Sequence, residues 1–144
     1  MAQGSSSQIP VYQDGTFTPT VTLVGGAGNT VPVYSTNTGR YTRIGNRVFA
    51  EVYLTGDGGD EGAGTGLVNI ALPITASASS PDSVAPVGYA RNNATEYLLH
   101  GLVAASGTTI QLFYVNALTT TANFTGADQN NASRVIRLRF FYEV

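Results

Sequence analysis

Apolar and polar residues alternate with a period of two from Arg47 to Thr55. One set of alternate positions holds Val48, Ala50, Val52 and Leu54, and the other holds Arg47, Phe49, Glu51 and Tyr53. Because successive side chains of a β-strand point to opposite faces, this pattern predicts a strand with one face in the core. The other face is too apolar for open water and too polar for a sealed core, so we expect a subunit interface there.

The end of the chain repeats the pattern. Ile136, Leu138, Phe140, Tyr142 and Val144 share one predicted face, and Val135, Arg137, Arg139, Phe141 and Glu143 share the other. A long apolar strand at a sheet edge is an aggregation hazard, so we expect this strand to lie inside a sheet.

A β-hairpin is predicted where Arg40–Ile44 and Arg47–Leu54 flank Gly45-Asn46, since such a pair suits a tight turn that needs positive φ. Pro19 and Pro32 mark edge or bulged strands, because proline cannot donate to a ladder. Further strands are predicted at Thr16–Val24, Val31–Ser35, Gly66–Leu72, Ser83–Ala90, Glu96–Ala104 and Thr108–Val115.

The fold class follows from this series of short strands and from the lack of any helical apolar period. We predict an all-β chain, an antiparallel two-sheet sandwich of the jelly-roll type, with about eight or nine strands. A Greek-key immunoglobulin-like sandwich is an alternative, although its cysteine and tryptophan landmarks are missing. Residues 1–14 are predicted to form an N-terminal arm, and residues 15–144 a single domain.

Composition narrows the function classes. The net charge of −2 provides no field for nucleic-acid phosphates. Cysteine is absent, which excludes disulfides and thiolate chemistry. Charged residues make up 11%, whereas an ordinary soluble domain has about 25%, so we expect other chains to cover part of the surface. All seven cations are arginine, which fits either interfacial ion pairs or a genomic base bias.

Targeting signals are not evident in the sequence. The apolar stretches are shorter than the roughly 20 residues of a membrane helix, and Met1–Gln8 has neither the positive charge nor the apolar run of a secretory signal. We therefore expect a protein that is made in a cytoplasm and does not enter a membrane.

Catalytic signals are weak. His100 has no nucleophile elbow of the G-x-S-x-G type to accompany it, so we expect a packed or interfacial histidine. The loop Asp57–Glu61 clusters three carboxylates, which fits either a cation site or a solvated hairpin tip. Glycoside hydrolysis needs carboxylates on rigid elements, which this glycine-rich loop does not offer. We predict no enzymatic activity, no metal and no cofactor.

Tyrosines offer a second kind of chemistry, because their rings can stack on sugars. The candidates are Tyr34, Tyr41, Tyr53, Tyr89, Tyr97 and Tyr114. Half-buried packing within a sheet is the ordinary role of tyrosine at strand positions.

Two segments carry a resemblance to a known group of proteins. Gly15-Thr16-Phe17-Thr18-Pro19-Thr20, followed by Tyr34-Ser35 and by Gly39-Arg40-Tyr41-Thr42-Arg43-Ile44-Gly45-Asn46, resembles a β-sandwich module of tailed-bacteriophage virion proteins, and the match covers residues 15–75. Such modules occur in fibre and spike proteins and in small capsid-bound proteins. The resemblance implies a homotrimer about a threefold axis.

The short segment ahead of the module leaves no shaft of a tail fibre, so we expect direct docking. The expected function is that of a trimeric capsid decoration (cement) protein on the outer head surface, made in the bacterial cytoplasm and bound to the major capsid protein. The alternative is the tip of a fibre that binds a host-surface glycan. The predicted trimer interface is Arg47, Phe49, Glu51, Tyr53, Arg137, Arg139 and Phe141, and the predicted capsid-docking arm includes Gln8, Ile9, Pro10, Val11 and Tyr12.

Overall fold

The computed structural model describes residues 10–56, 61–79, 84–117 and 120–144. Within those ranges it contains β-strands and one short 3-10 helix, and no α-helix. The strands are β1 (Tyr12–Phe17), β2 (Val21–Val24), β3 (Thr36–Ile44), β4 (Arg47–Thr55), β5 (Leu67–Ala71), β6 (Val84–Asn92), β7 (Thr95–Val103), β8 (Thr109–Ala117), β9 (Thr120–Asn123) and β10 (Val135–Glu143), and the 3-10 helix is Gly126–Gln129. The predicted all-β class is confirmed.

The strands pair antiparallel in one sheet with the order β1-β3-β4-β10-β6-β7-β8-β5-β2, and β9 pairs with β8. Strands β1 and β2 lie at opposite edges, yet only residues 18–20 separate them along the chain. An extended chain advances at most about 3.6 Å per residue, so Phe17 and Val21 lie within about 14 Å of each other. The two edges therefore approach each other, and the sheet curls as a half-barrel.

The core fills the concave side of the curled sheet. One buried cluster draws on strands from across the whole sheet, and it includes Val21, Val48, Val52, Leu54, Val68, Ile70, Leu99, Ile110, Leu112, Ile136 and Leu138. Phe124, which follows β9, is also fully buried and joins this cluster. Curling lets distant strands share one apolar cluster, because each contributes the same face.

Strands β4 and β10 confirm the alternation seen in the sequence. Val48, Val52 and Leu54 are buried, and so are Ile136, Leu138 and Tyr142 on β10. The C-terminal strand pairs with β4 on one side and β6 on the other, so its predicted internal position is also confirmed. The hairpin is confirmed by the pair Ile44↔Arg47 and by the positive φ of 63° at Gly45.

Two predicted strands are wrong. The segment Thr16–Val24 is split, since β1 ends at Phe17 and β2 begins at Val21, with Pro19 in the break where its missing N–H cannot join a ladder. Val31–Ser35 is not a strand; only the neighbouring Thr30 forms an isolated bridge, to Ala63. Strand β9 and the 3-10 helix were not predicted.

The predicted sandwich of two separate sheets is not confirmed, because the ladders among the described residues join all ten strands into one sheet. The pairing of β10 with β6 is short and covers only Val135–Leu138. A bulge between Pro86 and Gly88 shifts the register of β6 at this point. A bulge bends a strand, so it contributes to the curl of the sheet.

A buried polar cluster holds the irregular segment that precedes β3. The Tyr34 hydroxyl donates to Gln129 Oε1 at 2.8 Å, and the Arg134 guanidinium lies 5.3 Å from the centre of the Tyr34 ring. Arg134 and Gln129 are fully buried, and Arg134 donates to the backbone carbonyl of Val33 and, at 3.0 Å, to that of Asn131. Burial raises the pKa of Tyr34 above its ordinary value.

Tyr142 ties the core face of β10 to the segment after β5. Its hydroxyl donates to the Ile74 carbonyl at 2.7 Å and accepts from the Ile74 N–H at 3.3 Å. Burial raises the pKa of Tyr142 to about 12, although the bond from the Ile74 backbone lowers it somewhat.

We predict that stability falls as pH rises above 10. Tyrosine in the unfolded chain ionises near pH 10, whereas Tyr34 and Tyr142 keep their protons in the folded state, so the unfolded state binds fewer protons. The free energy of unfolding should then fall by about 1.4 kcal/mol per pH unit for each such group, between about pH 10 and 12 for Tyr142. Urea unfolding measured from pH 8 to about 11.5 tests this slope.

Tyr142→Phe should flatten that slope and cost about 1 kcal/mol at pH 7, because it removes the hydrogen bonds to Ile74. The matched control is Tyr12→Phe at an exposed position, which should leave the slope and the stability unchanged. A Tyr142→Phe profile identical to that of the wild type would contradict this explanation.

Candidate functional site

The outer face of β4 and β10 brings all seven predicted interface residues together. Antiparallel pairing places Tyr53 opposite Arg137, Glu51 opposite Arg139, and Phe49 opposite Phe141, while Arg47 stands opposite Glu143. All seven are exposed, and they form a surface that we call the Arg–aromatic face: Arg47, Phe49, Glu51, Tyr53, Arg137, Arg139 and Phe141. Their role as an interface remains a prediction.

One end of the Arg–aromatic face is apolar. The rings of Phe49 and Phe141 lie with centroids 6.1 Å apart, and the Arg47 guanidinium is 5.8 Å from the centre of the Phe141 ring. Phe141 is 63% exposed and Phe49 is 47% exposed, so a large apolar area faces solvent in the isolated chain. Neighbouring large apolar residues on exposed surface are typical of interaction sites.

The middle of the face holds an ion pair. Arg139 Nε lies 3.1 Å from Glu51 Oε1, and the two side chains are 85% and 55% exposed. Such an exposed pair contributes at most about 1 kcal/mol to folding. Its presence on the surface is therefore poorly explained by the stability of the isolated chain.

The other end is a stack of one arginine between two tyrosines. The Arg137 guanidinium lies 4.7 Å from the centre of the Tyr53 ring and 6.0 Å from that of Tyr89 on β6. Arg137 Nη2 also donates to the Tyr53 hydroxyl at 3.4 Å. The sequence suggests only sugar stacking for Tyr89. The pairing Arg137↔Tyr89 places it beside the face, and nothing in the local sequence specifies this pairing.

The same outer side continues onto β3 and β1. Ile44 stands opposite Arg47, and Tyr12 stands opposite Ile44; these apolar side chains are 48% and 69% exposed. Arg40 stands opposite Glu51 and brings a second guanidinium to that carboxylate's side of the sheet. The sequence signal for these two residues is the hairpin turn at Gly45-Asn46. The turn sets the register of β3 against β4 and so places Ile44 and Arg40 beside the face.

Positive charge collects on this outer side although the whole chain has a net charge of −2. The outer positions of the five strands β1, β3, β4, β10 and β6 hold five of the seven arginines and three of the nine carboxylates. The arginines are Arg40, Arg47, Arg91, Arg137 and Arg139, and the carboxylates are Asp14, Glu51 and Glu143. The rest of the chain is correspondingly acidic.

The six candidate sugar-stacking tyrosines separate into two groups. Four pack against the core, namely Tyr34, Tyr41, Tyr97 and Tyr114. Tyr53 and Tyr89 lie on the outer side of the sheet, with Arg137 between them. Among the six, only Tyr53 and Tyr89 lie on the outer side, and sugar stacking there remains a prediction.

The other candidate chemistry is not assembled into a site in the described part of the chain. His100 is half-buried on β7, opposite Pro86 on one side and Phe113 on the other. No group of three or more metal-ligating side chains occurs among the residues that the structure describes. Of the acidic loop, residues 57–60 lie outside the described ranges, and Glu61 is exposed.

The predicted arm is described only in part. Gln8 and Ile9 lie outside the described residues, whereas Pro10, Val11 and Tyr12 are exposed. Tyr12 already belongs to β1, so the last three residues of the predicted arm are paired with β3. Whether these residues contact a capsid remains a prediction.

No protein-family model matches this chain, and no curated protein matches it. In the ranges that the structure describes, no helix has the length and apolar character needed to cross a bilayer.

We predict a sharp contrast between the two sides of β10. Leu138→Ala should lower the free energy of unfolding by about 2–5 kcal/mol, since Leu138 is 2% exposed and its removal leaves a cavity. Phe141→Ala, three positions later, should leave the far-UV circular dichroism spectrum of the chain unchanged. Loss of the folded spectrum in Phe141→Ala would show that the outer face serves folding rather than association.

Proposed function

We propose that the chain is a structural protein of a tailed-phage virion that forms a homotrimer and decorates the outer surface of the capsid. The observation that carries this proposal is the Arg–aromatic face, in which seven residues with little role in the core share one exposed surface. The resemblance of residues 15–75 to virion modules supplies the class of assembly.

Physical chemistry supports association through this face. Burying apolar surface contributes about 25 cal/mol per Å², so covering Phe49 and Phe141 favours contact with a second copy. Arginine suits such a contact because its guanidinium is weakly hydrated and stacks on aromatic rings. The arrangement of Arg47 over Phe141 and of Arg137 over Tyr53 already orients both groups.

A decoration protein stabilises a capsid by mass action. A protein that binds only the assembled and expanded shell raises the stability of that state in proportion to the logarithm of its free concentration over its dissociation constant. In a trimer, three copies of the N-terminal arm can bind the major capsid protein at once, which raises avidity without any new kind of contact. The exposed residues Pro10, Val11 and Tyr12 fit this role.

A second candidate function is favoured by one observation. Tyr53, Tyr89 and Arg137 line an open depression of about 600 Å³, together with Arg40, Glu51 and Arg139. Aromatic rings beside charged groups suit a sugar, whose apolar faces stack while its hydroxyls form hydrogen bonds. A fibre-tip module that binds a host-surface glycan would use this depression.

We predict a mass of three chains for the protein in size-exclusion chromatography with light scattering, that is, three times 15.0 kDa. Phe141→Arg should reduce the mass to that of one chain, because it adds a guanidinium beside Arg47 and Arg139. The matched control is Val24→Arg on β2, which changes a side chain that is 50% exposed and belongs to neither β4 nor β10. A wild-type protein that stays a monomer at micromolar concentration would refute the trimer.

The two candidate functions are separated by binding partner. We expect the wild-type trimer to bind purified, undecorated capsids and to raise their melting temperature. On a glycan array the same trimer should show no specific binding. Specific glycan binding that is lost in Tyr89→Ala, with no binding to capsids, would establish the receptor-binding alternative instead.

A further inference from the structure

We infer that the Arg–aromatic face of one copy packs against a different surface of the next copy, the outer side of β7 and β8 around Leu98. This inference rests on the proposed homotrimer and adds to it the second half of the subunit contact. The surface, which we call the Leu98 patch, consists of Leu98, His100, Leu102, Phe113 and Val115.

Charge argues against contact of the Arg–aromatic face with itself. In a twofold contact the same patch lies on both sides, so the arginines of one copy would meet those of the other. The outer positions around the face hold five arginines against three carboxylates, and Glu51 is already paired with Arg139. Like charges brought together in an interface cost free energy. The partner surface must therefore be another part of the chain.

A closed ring imposes the same condition. Three copies around a threefold axis always join two different patches, because each copy gives one patch to the neighbour on its left and the other to the neighbour on its right. Each chain consequently needs a second surface that is apolar, exposed, and free of excess positive charge.

The Leu98 patch meets the apolar condition. Leu98 is 73% exposed, the highest value among the exposed large apolar side chains of the described residues, and Val115 is 43% exposed. The pair Leu99↔Tyr114 turns its side chains toward the core, so the adjacent Leu98 and Val115 point outward. The pair His100↔Phe113 lies on the same outer side and is half-buried.

The Leu98 patch also meets the charge condition. Its members carry no formal charge when His100 is neutral. Glu96 lies on the same side of β7, two positions before Leu98. Glu96 stands opposite Arg91 of β6, so this neighbouring pair adds no net charge beside the patch. The Phe113 and His100 rings offer faces on which a guanidinium can stack.

Strand order separates the two patches without breaking the surface. Strand β6 lies between β10 and β7, and its Tyr89 stands opposite Arg137 on one side and Leu98 on the other. Because the sheet curls and β6 is bulged at Pro86/Gly88, the outer sides of β10 and β7 point in different directions. Two patches at an angle are what a closed ring requires.

The sign of an introduced charge tests the contact. Leu98→Arg should abolish the trimer, because the new guanidinium would face arginines of the next copy. Leu98→Glu should also raise the dissociation constant of the trimer, but about tenfold less than Leu98→Arg does. Val24→Arg, at an exposed apolar residue on β2, is the matched control and should stay trimeric. Masses are measured by light scattering at 0.1 M salt, and far-UV circular dichroism verifies that each variant is folded.

Mixing two variants identifies which surfaces meet. Phe141→Arg keeps the Leu98 patch intact and Leu98→Arg keeps the Arg–aromatic face intact, so each alone should be a monomer while an equimolar mixture should form a dimer that cannot close. A dimer also proves that both variants are folded at their intact surfaces.

The outcomes distinguish the two proposals. A trimeric wild type together with a trimeric Leu98→Arg, or with a mixture that stays monomeric, would overturn the Leu98 contact and leave the proposed function standing. A monomeric wild type would overturn the trimer itself and the Leu98 contact with it.

Discussion

The register between β4 and β10 sets both the core and the outer surface of this protein. Their pairing runs without interruption from Arg47↔Glu143 to Thr55↔Val135. Because side chains alternate with a period of two, this one register seals the core on the concave side and builds the Arg–aromatic face on the other. A slip of one residue would expose Leu138 and bury Arg139, so core and outer surface are specified together.

The two sides of this strand pair contribute to different equilibria. The buried side chains stabilise the fold of each chain, whereas the exposed Arg139–Glu51 pair and the phenylalanine rings of the outer side contribute little to it. Their contribution grows when water is removed, since electrostatic and aromatic contacts strengthen in a less polar environment.

Local pattern was enough to predict the seven residues of the Arg–aromatic face, because alternation reports which side of a strand each residue occupies. It could not place Tyr89 beside Arg137 or Leu98 beside Tyr89, since these contacts depend on which strands become neighbours. The prediction of a strand at Val31–Ser35 is wrong for a related reason. Its apolar residues suggest a strand, but the position of the segment depends on Arg134, about a hundred residues later, which donates a hydrogen bond to the Val33 carbonyl.

The all-β class, the β3–β4 hairpin and the two faces of β4 and β10 could be predicted from local sequence, because each follows from neighbouring residues and the geometry of an extended chain. Three features depend on the folded chain: all strands join one curled sheet, Pro19 separates β1 from β2 at opposite edges, and Tyr34, Gln129 and Arg134 form a buried cluster. Those features arise from pairings between distant segments, whose partners are selected by packing of the whole core and not by local preference.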